Sequence, residues 1–150
     1  MNLKEEIKTR LEKTKPTRVF SYIHGDGRIG VLLEIESDTD FCLRTDKLTD
    51  FAHQVLLQIA SMEPVSVCVK TMEPNVFYDL TSGISVDKSK PEHIQEKILE
   101  GKMLSMRKEY CLIDQTWIKD NSKTIGSLLD ELKSELKEGI KIVRFSRFGQ

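Results

Sequence analysis

The sequence predicts an α+β fold, a small and mostly antiparallel sheet packed against helices. Two β-rich runs, residues 18–24 and 28–36, flank Gly25-Asp26-Gly27, whose residues tolerate the positive φ of a hairpin turn. Residues 46–62 and 122–139 carry apolar residues at the 3, 4, 7, 8 spacing of helices that bury one face. The chain then reaches a last β-rich run at 140–148. The expected order is helix, hairpin, helix, strand, two helices, strand, which is α+β.

Each element has a local reason. Residues 3–14 read as a helix with a thin stripe, Leu3, Ile7 and Leu11, that needs a neighbour to be stable, and Pro16 ends it. In the hairpin, Val31, Leu33 and Ile35 share one face, while Leu32 shares the other with Glu34 and Glu36. The short polar run Ser37-Asp38-Thr39-Asp40 can cap a helix, and Phe41 follows at once. Asp46 to Met62 is the clearest helix, with Leu48, Phe51, Ala52, Val55, Leu56, Ile59 and Ala60 on its buried face and Pro64 after it. Residues 65–69 are expected to form a buried strand. Residues 71–90, broken by Pro74 and Gly83, read as a connector with one short strand or helix. A helix is expected from Pro91 to Cys111, with Ile94, Ile98, Met106 and Tyr110 near one face and a close packing contact to account for Gly101. Residues 114–121 form a loop with Trp117. Ser122 caps the next helix, whose stripe is Ile125, Leu128, Leu129, Leu132 and Leu136, and Gly139 closes it.

The chain has 150 residues, 39% of them hydrophobic and 31% charged, one domain's worth with enough apolar material for a core. With 23 basic and 24 acidic residues the net charge is −1, which argues against nucleic-acid binding through bulk charge. No apolar run approaches the roughly 20 residues of a membrane helix, and the start has no apolar signal-peptide core. The three cysteines, Cys42, Cys68 and Cys111, are widely spaced and read as reduced thiols of a cytoplasmic protein. None of His24, His53 and His93 stands at metal-ligand spacing to them, so no metal and no cofactor are expected.

Catalytic motifs are absent from the sequence: no nucleophile elbow, no phosphate-binding glycine loop, no paired histidines at helical spacing. A Cys42–His53 thiol pair has nothing in the sequence to bring it together. Arg144-Phe145-Ser146-Arg147-Phe148 alternates as single-strand binders do, but an edge strand with aromatics inward and arginines in water accounts for it better. Thr39-Asp40-Phe41 is the feature worth most. A protruding Phe41 would bury ~150–250 Å² on a partner, a gross ceiling of ~4–6 kcal/mol at ~25 cal/mol/Å². Pattern alone favours the alternative, in which Phe41 folds back as the first core residue of the helix.

Residues 22–64 resemble the core of bacterial translation elongation factor Ts. The matching features are Tyr22-x-His24, Gly27-Arg28-Ile29-Gly30-Val31-Leu32, Glu34, Thr39-Asp40-Phe41, Arg44, and Gln58-Ile59-Ala60 before Pro64. Residues 90–148 resemble the family's C-terminal part through Lys90-Pro91-Glu92, Glu96-Lys97-Ile98-x-Glu100-Gly101-Lys102, Gln115, Ser122-Lys123-Thr124 and Arg144-Phe145-x-Arg147-Phe148. Together they cover about two-thirds of the 150 residues.

The resemblance implies the fold of the family's dimerisation domain. It also implies a guanine-nucleotide exchange factor for elongation factor Tu, in its GDP-bound and nucleotide-free forms, that makes no bond and is not an enzyme. By the same resemblance, Asp40 and Phe41 of the Thr39-Asp40-Phe41 motif enter the partner's G domain, and His24 reaches the partner as well. The family's Ile-Gly contact falls on Leu136 and Lys137, so the apolar member persists and the glycine does not. A homodimer is implied, as in compact family members, with no direct nucleic-acid or membrane contact. Residues 1–16 read as a helical arm and 17–150 as the core domain, without the usual N-terminal ubiquitin-associated-like domain, its Thr-Gly-Ala-Gly-Met-Met signature or the coiled-coil insertion. Trp117 stands where the family usually has Phe, after Thr116 in place of Pro, and residues 70–89 match poorly. The competing expectation is a binding or scaffold module of the same fold that has lost exchange.

Overall fold

A computed structural model describes residues 2–150, with the side chains of residues 11–13 left aside. Helix α1 (Leu3–Lys13) precedes a hairpin of β1 (Thr17–His24) and β2 (Ile29–Ser37). The one-turn helix α2 (Asp40–Leu43) leads into α3 (Asp46–Met62), followed by α4 (Pro74–Thr81) and α5 (Glu92–Tyr110). A two-stranded ribbon, β3 (Thr116–Trp117) and β4 (Asp120–Thr124), precedes α6 (Ile125–Leu136) and β5 (Ile140–Gly149). The main sheet is antiparallel, as the sequence predicts, and its strand order is β1-β2-β5.

The hairpin turns where expected. Gly25 (φ +56°) and Gly27 (φ +91°) adopt conformations that L side chains rarely take, and the Gly27 N–H donates to the His24 carbonyl. Strand β2 is central, and its inward residues Val31, Leu33 and Ile35 are buried against α3 and α6. From α3, Leu48, Phe51, Ala52, Val55, Leu56 and Ile59 enter this core, and Ala60 packs at its margin. From α6, Ile125 and Leu132 are buried, while Leu128, Leu129 and Leu136 flank them. A second small core, Met72, Met106 and Cys111, joins α5 to Val76, Phe77 and Leu80 of α4. On α1, Leu3 and Ile7 are exposed, and Leu11, the third member of the expected stripe, lies outside the described side chains.

Several local expectations are corrected. Residues 65–69 form no strand. Their β-pairing is a single bridge, Ser66 to Cys111, with flanking backbone bonds to Tyr110 and Ile113, because the opposite segment enters a 3-10 turn at Leu112–Asp114 and does not continue the ladder. Pro74 is not a break: it opens α4 from the first-turn position, where its missing N–H costs nothing. Gly101 has no close packing contact, since a Cβ there would meet nothing within 4 Å. The segment around Trp117 is a bulged ribbon rather than a loop. Ser122 lies within β4, and α6 is capped instead by Thr124, which exchanges hydrogen bonds with Ser127 in a capping box. Gly139 does not close α6. Lys137 does, in the left-handed conformation (φ 53°, ψ 41°).

On β5 the expected alternation is half reversed. Phe145 packs against the core and Arg144 faces outward, but Arg147 points inward and Phe148 is exposed. Phe145 and Phe148 are three residues apart, so a period of two cannot place both on one face. The partly buried Arg147 guanidinium is satisfied: Nε and Nη2 donate to the Ala60 carbonyl at 3.2 and 3.1 Å, and Nη1 lies 3.0 Å from Glu63 Oε1. It thereby ties β5 to the end of α3.

Candidate partner-binding site

Strand β2 ends at Ser37 and hands the chain to Thr39, the N-cap of α2. Thr39 is extended (φ −129°, ψ 150°), and its Oγ accepts the Cys42 N–H at 3.2 Å. At 3.6 residues per turn, consecutive pairs in a one-turn helix face opposite ways. Cys42 and Leu43 go into the core, so Asp40 and Phe41 go out. Phe41 is 79% exposed, which overturns the core placement that pattern alone favoured. Asp40 Oδ2 lies 2.7 Å from Arg44 Nη2 in an (i, i+4) pair that is exposed on both sides. The far end of α2 is anchored by Arg18, whose Nη1 donates to the Leu43 carbonyl at 2.8 Å while its guanidinium stacks 4.6 Å over Phe20. A rigid turn thus presents an apolar ring beside a carboxylate.

The turn between α6 and β5 lies against this loop. The Gly139 N–H donates to Asp38 Oδ2 at 2.7 Å, and the Asp38 N–H donates to the Gly139 carbonyl at 3.1 Å. Thr39 Oγ donates to Glu138 Oε1 at 2.5 Å. Gly139 suits the approach, since a Cβ there would lie 3.0–3.3 Å from the Asp38 carboxylate and the carboxylate would have to give way slightly. Asp38 also pairs with Lys15 Nζ at 2.9 Å, and the hydrogen bonds from Lys15 and the Gly139 N–H hold its carboxyl below the usual range. Burial pushes the Cys42 thiol up to about 11, with the Glu138 carboxylate beside it as the next cause.

Of the expected site residues, the structure brings Thr39, Asp40 and Phe41 to the same end of the molecule as Leu136 and Lys137. Leu136 is half-buried, with part of its side chain packed against the main core. Lys137 stands where the resemblance expects glycine, and its backbone holds the left-handed conformation that glycine adopts freely. His24 is not brought to this end. It sits where β1 ends, paired with Ile29, whereas Thr17 at the start of β1 pairs with Glu36 beside the loop. Seven strand steps of about 3.3 Å separate the two ends, roughly 23 Å. His24 Nδ1 is hydrogen-bonded to Tyr22 Oη at 2.7 Å, and the Tyr22 ring meets His53 edge-on at 6.2 Å. Cys42 therefore faces Glu138, not His53. Asp38, Glu138 and Gly139 were missed by sequence reasoning, because no spacing rule joins positions 99 to 101 residues apart. Among the described residues no group of three or more His, Cys, Asp or Glu is placed to hold a metal ion, and no helix is long and apolar enough to cross a membrane.

The family model for Elongation factor TS matches residues 1–150. The chain belongs to the elongation factor Ts family. It is similar to elongation factor Ts of Solidesulfovibrio magneticus, 38% identical over 130 residues, which are 85% of this chain and 65% of that protein. Elongation factor Ts of Thermotoga neapolitana is 38% identical over 136 residues, 90% of this chain and 69% of the relative. Elongation factor Ts of Coprothermobacter proteolyticus is 36% identical over 154 residues, 97% and 78% respectively. The chain spans about two-thirds of the length of the first two of these relatives. Membership of the elongation factor Ts family accords with the antiparallel sheet and helices described above.

Proposed function

We propose that this chain binds elongation factor Tu and promotes release of GDP from it during translation elongation, in the cytoplasm. The observation that supports the reading most is the exposed Phe41 beside Asp40, held on a one-turn helix whose other two residues are buried, in a chain of the elongation factor Ts family. A ring entering the partner's nucleotide site would favour the nucleotide-free form, and by linkage GDP would weaken this chain's binding by the same factor. No bond is made, so the activity is not enzymatic, and it calls for no cofactor. His24 would be a second, distant contact.

Pairing into a homodimer is part of the reading. The outer face of the sheet exposes Val19 and Ile23 of β1, Leu32 of β2 and Phe148 of β5, an apolar surface of the kind a second copy covers. Sedimentation of the full chain at micromolar concentration should give twice the monomer mass.

The direct test is release of fluorescent GDP from elongation factor Tu of the same source, with and without this protein. Acceleration that Phe41→Ala abolishes is expected. Co-elution without acceleration would favour the second reading, a binding module that has lost exchange, to which Lys137 in the glycine conformation gives specific support. If neither acceleration nor co-elution is seen, elongation factor Tu is not the partner.

A further inference from the structure

Asp40 and Phe41 are exposed, so their placement comes from the residues on either side, the buried Cys42 and Leu43 after them and Thr39 before them. Thr39 is held three ways. Its Oγ accepts the Cys42 N–H, its carbonyl accepts from the buried Ser37 Oγ, and its single hydroxyl proton goes to Glu138 Oε1. Committing that proton to Glu138 leaves an Oγ lone pair for the Cys42 N–H. Glu138 is the only one of these partners outside residues 37–42. It belongs to the α6–β5 turn, which Asp38 and Gly139 fasten to the same loop through two further hydrogen bonds.

Glu138 is poorly suited to a purely stabilising role. Its second oxygen, Oε2, is buried and has only the Cys42 thiol, a weak donor, beside it. A poorly satisfied carboxylate oxygen removed from water opposes folding. The carboxylate therefore gives one well-made bond to Thr39 and loses part of that gain at its other oxygen.

We infer that Glu138 is a positioning residue for the Asp40-Phe41 turn: by holding Thr39 from the α6–β5 turn, it sets the direction in which Phe41 is presented. The inference rests on the exchange reading above. Because a buried oxygen faced only by the weak Cys42 donor leaves with the side chain, truncation should loosen the turn without unfolding the protein. A glutamine would keep an acceptor for Thr39 and should restore the effect.

The experiment compares the full chain with Glu138→Ala and Glu138→Gln by three readouts: melting temperature, amide hydrogen exchange at Cys42, and the GDP-release rate at saturating concentration. Loss of a bond to a charged group predicts about tenfold faster exchange at the Cys42 amide in Glu138→Ala, with core amides of α3 unchanged. The release rate should fall about tenfold as the ring loses its preferred direction, with Tm within roughly 3 °C of wild type. Glu138→Gln should restore both protection and release. The inference is overturned if Glu138→Ala keeps wild-type protection or wild-type release, if release falls only in step with Tm, or if Glu138→Gln fails to rescue. A wild-type chain that releases no GDP would overturn the exchange reading and this role together. That outcome is distinct from failure of the inference alone, in which wild type and Glu138→Ala are equally active.

Discussion

Gln58, on the buried face of α3, accepts the backbone N–H of Ile118 through Oε1 at 2.9 Å and donates through Nε2 to the Thr116 carbonyl at 3.0 Å. One side chain therefore satisfies the two backbone groups that flank Trp117, where β3 gives way to the turn. The same Nε2 lies 3.3 Å from Gln115 Oε1, and Gln115 donates to the Glu109 carbonyl at 2.8 Å, so the chain of bonds runs from α3 to the end of α5. Replacing Gln58 with Leu preserves volume but strands the Ile118 N–H and the Thr116 carbonyl. A loss of about 2–3 kcal/mol is expected, or roughly 4–12 °C in Tm for a domain of this size. Calorimetry of Gln58→Leu against wild type checks it, and an unchanged Tm would mean that both backbone groups find other partners.

Phe41→Ala is expected to leave stability unchanged to within about 0.5 kcal/mol, as for other exposed substitutions. Asp40→Ala removes an exposed pair with Arg44 worth about 0.3–0.5 kcal/mol. Thermal melts of both variants should overlay the wild type. A drop of more than about 2 kcal/mol in Phe41→Ala, the range of a buried large-to-small change, would mean that the ring packs inward in solution.

Two helical glycines should respond to alanine with opposite signs. At Gly101, inside α5, a Cβ meets open space, so Gly101→Ala should stabilise by about 0.5–1 kcal/mol. At Gly126, near the start of α6, a Cβ would lie 2.9 Å from the Ile113 carbonyl oxygen, so Gly126→Ala must displace α6 from the Leu112–Asp114 turn and should destabilise. Denaturant midpoints of the two variants, measured side by side, test the contrast. A common sign would contradict the packing described at one of these positions.

The Lys15–Asp38 pair predicts a stability change confined to the extremes of pH. Asp38 titrates below its usual value of 3.8 in the folded state, so its contribution is present above that value and is lost as pH falls through the lower folded pKa. Lys15 titrates above 10.5, so its contribution is fully present below 10.5 and is lost as pH rises through the higher folded pKa. Asp87 and Asp120, lowered by hydrogen bonds from Ser89 and Ser122, add to the acid limb. Asp38→Asn should flatten part of that limb by lowering Tm between pH 5 and 8, with the two curves converging as pH falls below the folded pKa. An acid limb as steep as in wild type would remove Asp38 from the account.

The parts of the fold legible in the sequence were those with strong local periodicity or an unambiguous turn. The helix over Asp46–Met62 was marked to the residue by its apolar spacing and Pro64, and the hairpin by Gly25 and Gly27. What was illegible depended on partners far along the chain. Gln58 reads as a polar residue on a helix, and only the arrival of Ile118 makes it a buried one. Residues 65–69 have strand composition but no strand to join. Arg147 was assigned to solvent because arginine usually is, and the Ala60 carbonyl and Glu63 reverse that. At the site, the exposure of Phe41 follows from Cys42 and Leu43 taking the inner half of one turn, which apolar pattern alone cannot distinguish from a buried ring.

The distance between His24 and Phe41 constrains whatever the chain binds. The hairpin acts as a ruler of roughly 23 Å, close to the ~30 Å diameter of a small domain, with a histidine at one end and the Phe41 turn at the other. A partner that touches both must offer almost the full width of one domain, or span the gap with two. In the two-domain case, a motion that changes the spacing of those domains would release one end of the ruler before the other, and departure would proceed in two steps rather than one.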